Sequence, residues 1–135
     1  MKSYNPNTPS RRHMTTIPYR NYITASEPHK ALTKGMKRDM GRNAFGRITV
    51  RHKGGGHKKL YRMVDFAYDK KNVPAKIATI EYDPFRTGFI ALVNYADGEK
   101  RYVLGPKSMK VGDTFIVSET ASVETGNRLP LKKIP

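Results

Sequence analysis

The residues of this chain best suited to chemistry lie in one stretch, GRITVRHKGGGHKKLYR, at residues 46–62. Its centre holds three consecutive glycines, Gly54, Gly55 and Gly56. Because glycine has no Cβ, the N–H groups of such a loop can approach a phosphate closely and form an anion-binding concavity. The cationic and imidazole side chains around the glycines are Arg51, His52, Lys53, His57, Lys58, Lys59 and Arg62.

The chemistry of these side chains suits a nucleic acid. Lysine and arginine neutralise phosphates and release counterions, and histidine can donate or accept a hydrogen bond or stack on a base. Tyr61, between Lys59 and Arg62, is the aromatic residue that we most readily expect to stack on a base. The competing interpretation is a flexible hairpin loop with solvated charges. A phosphate-binding nucleotide loop is excluded, because no Gly-Lys-Ser/Thr sequence closes the glycines.

The other reactive residue types form no pattern for catalysis or metal binding. The chain has no cysteine, and its four histidines are scattered or surrounded by cations that would repel a metal ion. Glu81 and Asp83 are two residues apart on a predicted strand, so they share a face instead of facing each other across a cleft. We expect them to form ion pairs with basic neighbours. The sequence therefore predicts no enzyme activity, no cofactor and no metal.

Charge is distributed unevenly along the 135 residues. The chain carries 26 Lys and Arg against 11 acids, a net charge of +15 and a pI of about 10.2. Residues 1–62 hold 15 of these cations and two acids, a net charge of +13, whereas residues 63–135 carry only +2. Self-repulsion on this scale indicates a polyanionic partner. Nucleic acid, an anionic membrane and an acidic protein all satisfy that requirement on charge alone.

The elements that must position the glycine loop differ on its two sides. Residues 1–59 have no sustained apolar periodicity, apart from a helical turn expected to begin near Glu27-Pro28. Such a segment cannot bury enough surface to offset the entropy of ordering. We therefore predict a long, basic and largely irregular N-terminal extension over residues 1–59, which becomes ordered on RNA.

Residues 60–120 have the pattern of a small all-β domain. Five strands are predicted, and the segment 89–95 is apolar on both faces, as expected of a central strand. Asp97-Gly98 is a hairpin signal. A sheet this short avoids exposed edges by closing, so we predict a five-stranded oligonucleotide-binding (OB-type) barrel, with a small sandwich as the alternative. The predicted strands are residues 60–66, 75–82, 89–95, 100–104 and 114–117.

Within the predicted barrel, two expectations concern the core. On strand 75–82 we expect Ala78, Ile80 and Tyr82 to share one face, although Ile77 interrupts the alternation. Among the aromatic residues, we expect Phe66, Tyr82 and Phe115 to fill the core instead of contacting RNA. Residues 121–135 read as a linker towards a further element.

Membrane insertion and secretion find no support in the sequence. No run approaches the roughly 20 apolar residues of a membrane span. The first 12 residues lack the apolar centre of a secretory signal, whereas their basic composition leaves a transit peptide open.

The longest motifs resemble a known family. GRNAFGRITVRHKGGGHKKLYRMVDF, followed by ATIEYDPFRTGFIALVNYADGEKRYVLGPK, is similar to the second-numbered large-subunit ribosomal protein family, of the bacterial and organellar type. PSRRHMT near the start and GNRLPLKKIP at the end fit the same family. The resemblance implies an OB-type barrel with a basic N-terminal extension, followed in the family by an SH3-like barrel. The similarity spans the whole chain, which corresponds to the N-terminal half of the family only.

The resemblance also implies which residues contact RNA. It assigns RNA binding to the loop from Arg51 to Lys58, and it places the preceding cations in an extension that runs through ribosomal RNA. Arg86, in YDPFRTG, matches an arginine on the RNA-facing side of the family's barrel, although Phe85 departs from the polar residue of many relatives. The contacts outside the glycine loop are Arg11, Arg12, Arg42, Asn43, Arg47, Arg86, Lys100 and Arg101.

The function implied is that of a structural component of the large ribosomal subunit, in the bacterial cytoplasm or in a mitochondrial or plastid matrix. Its partners would be large-subunit ribosomal RNA, other ribosomal proteins and a separate chain carrying the SH3-like half, without a membrane. It would support subunit assembly and association and the peptidyl-transferase region. The alternatives are a free-standing single-stranded nucleic-acid-binding OB protein and a nucleic-acid enzyme, whose catalytic constellation the sequence lacks.

Overall fold

The computed structural model describes residues 1–38 and 40–134. Its regular elements are short strands and single 3-10 turns, and these residues contain no α-helix. The 3-10 turns are Tyr19–Asn21, Lys30–Leu32 and Leu131–Lys133. The strands are β1 (Lys2–Ser3), β2 (Thr15–Thr16), β3 (Thr33–Gly35), β4 (Leu60–Arg62), β5 (Ala75–Glu81), β6 (Ile90–Tyr95), β7 (Lys100–Leu104) and β8 (Thr114–Phe115).

The largest sheet is antiparallel and has the strand order β7-β6-β5-β8. Strands β3 and β4 form a second antiparallel pair, and an isolated parallel bridge from Val64 to Tyr102 connects the chain after β4 to the β7 edge. The result is a curled antiparallel half-barrel, which confirms the predicted all-β, OB-type fold. All five predicted strands are present, but the first ends at Arg62 and the last at Phe115, earlier than the sequence suggested.

Strand β6 is central, as predicted, because it is buried on both faces. Ala91, Val93 and Tyr95 pack into the main core with Phe115, which confirms the prediction for that aromatic residue. The opposite face of β6 forms a second cluster around Tyr102. Leu32 and Val64 cover this second cluster, so a residue of the N-terminal part supplies one wall of the barrel's core.

The residues expected to share one face of strand β5 are not its buried residues: Ala78 and Ile80 are partly buried, and Tyr82 is exposed. A register shift between Ile77 and Thr79 leaves Ala78 as an extra residue, which reverses the alternation of side chains along the strand. Ala75 and Ile77 are buried in the main core before this bulge, and Glu81 is buried on the other face after it. Ile77 departs from the alternation of apolar residues in the sequence because the bulge follows it directly.

The core positions predicted for Phe66 and Tyr82 are also wrong, since these side chains are 58% and 44% exposed. Both follow the last residue of a strand, so the sheet no longer directs them inward. The guanidinium of Arg86 lies 5.4 Å from the centre of the Phe66 ring, and Tyr19 makes an edge-to-face contact with Tyr82. These rings cover the barrel's surface and leave its core to aliphatic residues, Tyr95, Tyr102 and Phe115.

Part of the predicted extension packs directly on the barrel. The Thr24 N–H donates to the Ile80 carbonyl at 2.9 Å, and the Ile80 N–H donates back to Thr24 Oγ1 at 2.8 Å. The ring of Tyr22 stacks on Phe89 with 5.7 Å between centroids. The helical turn expected near Glu27-Pro28 is the 3-10 turn at Lys30–Leu32.

These contacts join residues 19–35 to the folded domain, although the sequence grouped them with the extension. The predicted division at residues 59 and 60, and the linker from residue 121, stay predictions. Asp39 of the predicted extension and Pro135 of the predicted linker lie outside the described residues.

Candidate nucleic-acid interface

The candidate interface begins with a tight turn at residues 42–48. The Asn43 side-chain oxygen accepts hydrogen bonds from the N–H groups of Phe45 and Arg47, both at 3.0 Å. Two backbone hydrogen bonds close the turn: the Asn43 N–H donates to the Arg47 carbonyl, and the Gly46 N–H donates to the Asn43 carbonyl. Arg42 Nη1 also donates to the Gly46 carbonyl, at 2.8 Å. Asn43 and Arg42 were predicted from the resemblance as RNA contacts, and both shape this turn.

Gly41 fixes how the turn meets the glycine loop. Its carbonyl accepts hydrogen bonds from the N–H groups of Thr49 and Val50, at 2.8 and 3.1 Å. Its φ is +66°, and a Cβ there would lie 2.3 Å from the Val50 carbonyl oxygen and 2.8 Å from Lys53 Cβ. Because both the backbone conformation and the space require glycine, Gly41 holds the two parts of the interface together.

The three consecutive glycines all adopt positive φ: +124° at Gly54, +72° at Gly55 and +77° at Gly56. Backbone–backbone hydrogen bonds from their N–H groups are absent among the described residues. Arg38 holds the loop from behind, since its Nη1 donates to the Gly55 carbonyl and lies 3.5 Å from the His57 carbonyl oxygen. The arrangement leaves amide donors available to an anion, while Arg38 occupies the carbonyls of Gly55 and His57.

Arg38 contacts the glycine loop, although the sequence analysis did not single it out. It precedes the glycines by more than 15 positions and belongs to no motif, so only its position in the folded chain reveals its role. Its partners are both backbone carbonyls of the glycine loop. An arginine used in this way neutralises the dipoles of the carbonyls and leaves the loop's opposite side electropositive.

Every residue from 42 to 60 is exposed. None of the lysines and arginines of residues 1–62 forms an ion pair within the described part of the chain. All the ion pairs observed there use acids and bases of residues 65–119. The predicted site residues that are exposed and have no ion pair to any described residue are Arg11, Arg12, Arg42, Arg47, Arg51, Lys53, Lys58, Lys59 and Lys100.

The end of the glycine loop contacts the turn that follows β5. Lys59 Nζ donates to the Pro84 carbonyl at 3.3 Å and lies 5.6 Å from the centre of the Phe85 ring. Tyr61 makes an edge-to-face contact with Phe85, with 5.7 Å between centroids. Tyr61, the aromatic residue that we first expected to stack on RNA, is therefore partly buried against the barrel. Phe85 anchors this contact and is 43% exposed.

Two predicted RNA contacts on the barrel have partners within the protein. Arg86 Nε lies 3.1 Å from an oxygen of the buried Asp83, the ion pair expected for that acid. Arg101 contacts Asp65 and Glu99, at 2.8 and 2.6 Å, and also Asp69. Both guanidinium groups organise the barrel surface. Glu81, expected to form an ion pair as well, instead accepts a hydrogen bond from Tyr102.

The hydrogen bonds around Arg101 shift the pKa values of Arg101 and Asp65. Hydrogen bonds to Glu99, Asp65 and Asp69 raise the pKa of Arg101 above its already high ordinary value. Burial opposes ionisation of Asp65, but its hydrogen bonds to Arg101 and to the Tyr68 N–H outweigh burial and lower its pKa. Arg101 is thus held as a cation in a local excess of carboxylates, which repels phosphate.

The described residues contain no group of three or more His, Asp or Glu side chains arranged to hold a metal ion. Within residues 1–38 and 40–134, no helix is long and apolar enough to cross a membrane.

A curled OB-type sheet with an exposed basic segment, whose cations have no ion pairs among the described residues, is typical of small β-barrel proteins that bind nucleic acid. A comparison of the sequence with models of protein families agrees with this class and identifies one family within it. Residues 29–118 match the family described as Ribosomal Proteins L2, RNA binding N-terminal domain. The match spans 90 of 135 residues and includes the glycine loop and strands β3 to β8.

The chain therefore belongs to the ribosomal protein L2 family, through its RNA-binding N-terminal domain. This confirms the resemblance inferred from the sequence motifs. Family membership implies RNA binding and a location on the ribosome, and the family description names a binding domain without a reaction.

Proposed function

We propose that the chain is a structural protein of the large ribosomal subunit that binds ribosomal RNA through its basic segment, defined as residues 36–59. The observation that carries the proposal is a contrast in pairing. Cations of this segment are exposed and lack ion pairs among the described residues, whereas every ion pair found there lies on the barrel, at Lys70, Lys71, Arg86 and Arg101. A surface of this kind is complementary to the closely spaced phosphates of RNA.

The proposed binding mode has two parts. Phosphates lie against the free amides of Gly54, Gly55 and Gly56, while Arg51, His52, Lys53, His57 and Lys58 contact them from both sides. Arg42, Asn43 and Arg47 form the turn that extends this track, and Arg11 and Arg12 continue it further along the N-terminal part. The barrel docks by shape, with Lys59, Tyr61, Arg62 and Lys100 at its edge.

Arg86 and Arg101 take a positioning role in this proposal, because a guanidinium already paired with carboxylates would have to lose those bonds to contact a phosphate. The protein would support assembly and association of the ribosomal subunits and the peptidyl-transferase region, and the chemistry of peptide-bond formation would belong to RNA. Its further partners would be other ribosomal proteins and a separate chain with the SH3-like half. The compartment is the bacterial cytoplasm or an organellar matrix.

A filter-binding comparison tests the proposal against a free-standing single-strand binder. The chain is titrated with large-subunit ribosomal RNA fragments and with arbitrary single strands of equal length at several salt concentrations. We expect a large preference for the ribosomal fragments, and a salt slope of about −6 to −7 for eight phosphate contacts. Equal affinity for both kinds of RNA would favour the free-standing binder and contradict the proposal.

A truncation locates the contacts within the chain. Deleting residues 1–18 removes Lys2, Arg11 and Arg12 and leaves the packed residues 19–35 in place. We expect the salt slope to become shallower by about 2 to 3. Deleting residues 1–59 should flatten the slope almost completely, although it also removes the contacts of Thr24 and His29 with the barrel, so its folding must be measured in parallel. A full slope after the longer deletion would exclude the basic segment as the interface.

A further inference from the structure

Phe45 is the most unusual apolar residue of the interface. It lies within the tight turn of residues 42–48, and its side chain is 91% exposed. An aromatic ring in water gains nothing for folding, because its apolar area stays solvated. The ring therefore has no structural role within the described residues, and neither the family description nor the sequence motifs assign it one.

The backbone that carries this ring is well defined. The Phe45 N–H donates to Asn43 Oδ1 at 3.0 Å, and the next N–H, of Gly46, donates to the Asn43 carbonyl at 3.0 Å. Arg42 Nη1 also bonds the Gly46 carbonyl. A ring presented from a turn with this many bonds loses little entropy when it binds, which is the advantage of preorganisation.

The surroundings of Phe45 select the kind of partner. Arg42 and Arg47 flank it, and ion pairs to either are absent within the described residues. An apolar protein surface would have to desolvate both guanidinium groups without compensation. Unpaired nucleotides instead offer a flat π-face for the ring and phosphates for the cations. The major groove of an RNA helix is too deep and narrow to be read by such a side chain, so the base must be unpaired.

We propose that Phe45 stacks on an unpaired base of ribosomal RNA, in a loop or bulge, while Arg42 and Arg47 contact the adjacent phosphates. This inference rests on the proposed function and adds to it one aromatic contact, at the turn instead of at Tyr61. The contact tolerates any base, since every base has a π-face.

The test uses substitutions of Phe45 in the full chain and protein-free large-subunit ribosomal RNA. The chain has no tryptophan, so Phe45→Trp introduces a single tryptophan, whose emission can be excited selectively over that of the eight tyrosines. We expect its emission to be quenched on RNA binding and its affinity to equal or exceed that of the parent. Ile48→Trp is the matched control, because Ile48 belongs to the same turn and is 63% exposed. Its emission should change much less.

Binding constants separate stacking from simple apolar contact. Phe45→Ala and Phe45→Leu should both weaken RNA binding by about tenfold, with an unchanged salt slope because no charge is removed. If Phe45→Leu binds like the parent, or if the tryptophan of Phe45→Trp is not quenched, the inference is wrong while the proposed function stands. If the parent chain shows no preference for ribosomal RNA, the proposed function fails and the inference with it.

A protein partner would give a different result. In that case protein-free RNA would leave the emission of Phe45→Trp unchanged, and assembled large-subunit particles would shift it to shorter wavelength without quenching. This outcome would overturn the stacking inference.

Discussion

The barrel and the basic segment differ in the ion pairs of their cations: four barrel cations form ion pairs, and those of the basic segment form none among the described residues. On the barrel, Arg86 meets a buried aspartate, Arg101 meets three carboxylates and Lys70 contacts Asp97 and Glu99. In the basic segment, Arg38 and Arg42 bond backbone carbonyls, and ion pairs are absent among its described residues. On the proposed function, we expect the pairing of an arginine, more than its position in a basic motif, to distinguish a structural cation from one that contacts RNA.

Glycines with positive φ also differ between the two regions, in whether their N–H groups have a hydrogen-bond acceptor. Gly98 has a φ of +87° in the hairpin between β6 and β7, where its N–H donates to the Tyr95 carbonyl at 2.9 Å. Gly55 has a similar φ of +72°, but its N–H has no backbone acceptor among the described residues. The same backbone conformation therefore closes a hairpin in the barrel and exposes an amide donor in the basic segment.

We expect the largest loss of stability from a substitution in the barrel core, at Tyr102. The Tyr102 hydroxyl donates to Glu81 at 2.6 Å and accepts from the His29 N–H at 2.7 Å, and both side chains are buried. Tyr102→Phe leaves a buried carboxylate without this donor, so it should lower the free energy of unfolding by about 1–3 kcal/mol. Urea unfolding measures the change, and the salt slope of RNA binding should stay the same.

Tyr95→Phe is the matched control for this prediction. Tyr95 is also buried, but its hydroxyl has no hydrogen-bond partner among the described residues. Removing an unsatisfied buried hydroxyl should leave stability unchanged or raise it slightly. Equal destabilisation by both substitutions would show that the network joining His29, Tyr102 and Glu81 contributes nothing specific.

A pair of glycine substitutions tests whether the two regions use positive φ differently. Alanine at Gly98 or at Gly55 meets no atom within 4 Å, so positive φ is the source of strain, about 1 kcal/mol where the backbone cannot relax. Gly98→Ala should lower the melting temperature and leave RNA affinity unchanged. Gly55→Ala should barely change the melting temperature, because the exposed loop can relax without disturbing the core, yet weaken RNA binding about tenfold, near 1.4 kcal/mol.

Calorimetry and binding constants at three salt concentrations check both substitutions. Gly55→Ala should leave the salt slope alone, since no charge is removed. If Gly55→Ala melts early and binds RNA normally once folded, the glycines serve the fold and the comparison between the regions fails at this point.

We expect the smallest effect when the pH is lowered, because one partly buried carboxyl group, Asp65, then loses its stabilising contribution. The pKa of Asp65 in the folded chain lies below its ordinary value of 3.8, since bonds to Arg101 and the Tyr68 N–H outweigh burial. A lowered pKa stabilises the folded state at pH values above 3.8, and this contribution is lost as the pH falls through the folded pKa. Barrel stability should therefore decline below about pH 4, by about 1 kcal/mol or less from this pair.

Asp65→Asn provides the measurement for the acid prediction. Urea unfolding of both proteins at about pH 6 and about pH 3 should show a smaller pH dependence in the variant. An identical pH dependence would mean that Asp65 does not carry the effect, and the acids paired with Lys70 would be the next to test.

The sequence predicted the strands well because hairpin signals such as Asp97-Gly98 and the apolar run of β6 are local features. The sequence did not predict correctly which residues are buried where contacts between distant parts of the chain determine burial. The bulge at Ala78 changed the buried face of β5, and Phe66 and Tyr82 are exposed because their strands end one or more residues earlier. Nor could the sequence show that Thr24 bonds Ile80 across 56 residues, since no local pattern encodes that pair.

For the interface, the sequence identified the glycine loop and its cations but could not rank them. Arg86 and Arg101 look like any other basic residue in a motif, and their carboxylate partners include Asp65 and Asp69, which are more than 30 residues from Arg101. Conversely, nothing in the sequence distinguished Arg38 and Phe45, and the roles proposed for them rest on contacts and exposure in the folded chain. Charge pairing is a property of the folded chain.

The most direct test of the account compares the salt dependence of RNA binding in two matched variants. One replaces Arg47, Arg51, Lys53 and Lys58 with glutamine, and the other replaces Lys76, Lys107, Lys110 and Lys132, which also lack ion pairs among the described residues. Both remove four charges. We expect the slope to become shallower by about 3 to 4 in the first variant and by less than about 1 in the second, at unchanged melting temperatures. Equal changes in the two slopes would mean that net charge alone drives binding, and would contradict the assignment of the interface to the basic segment.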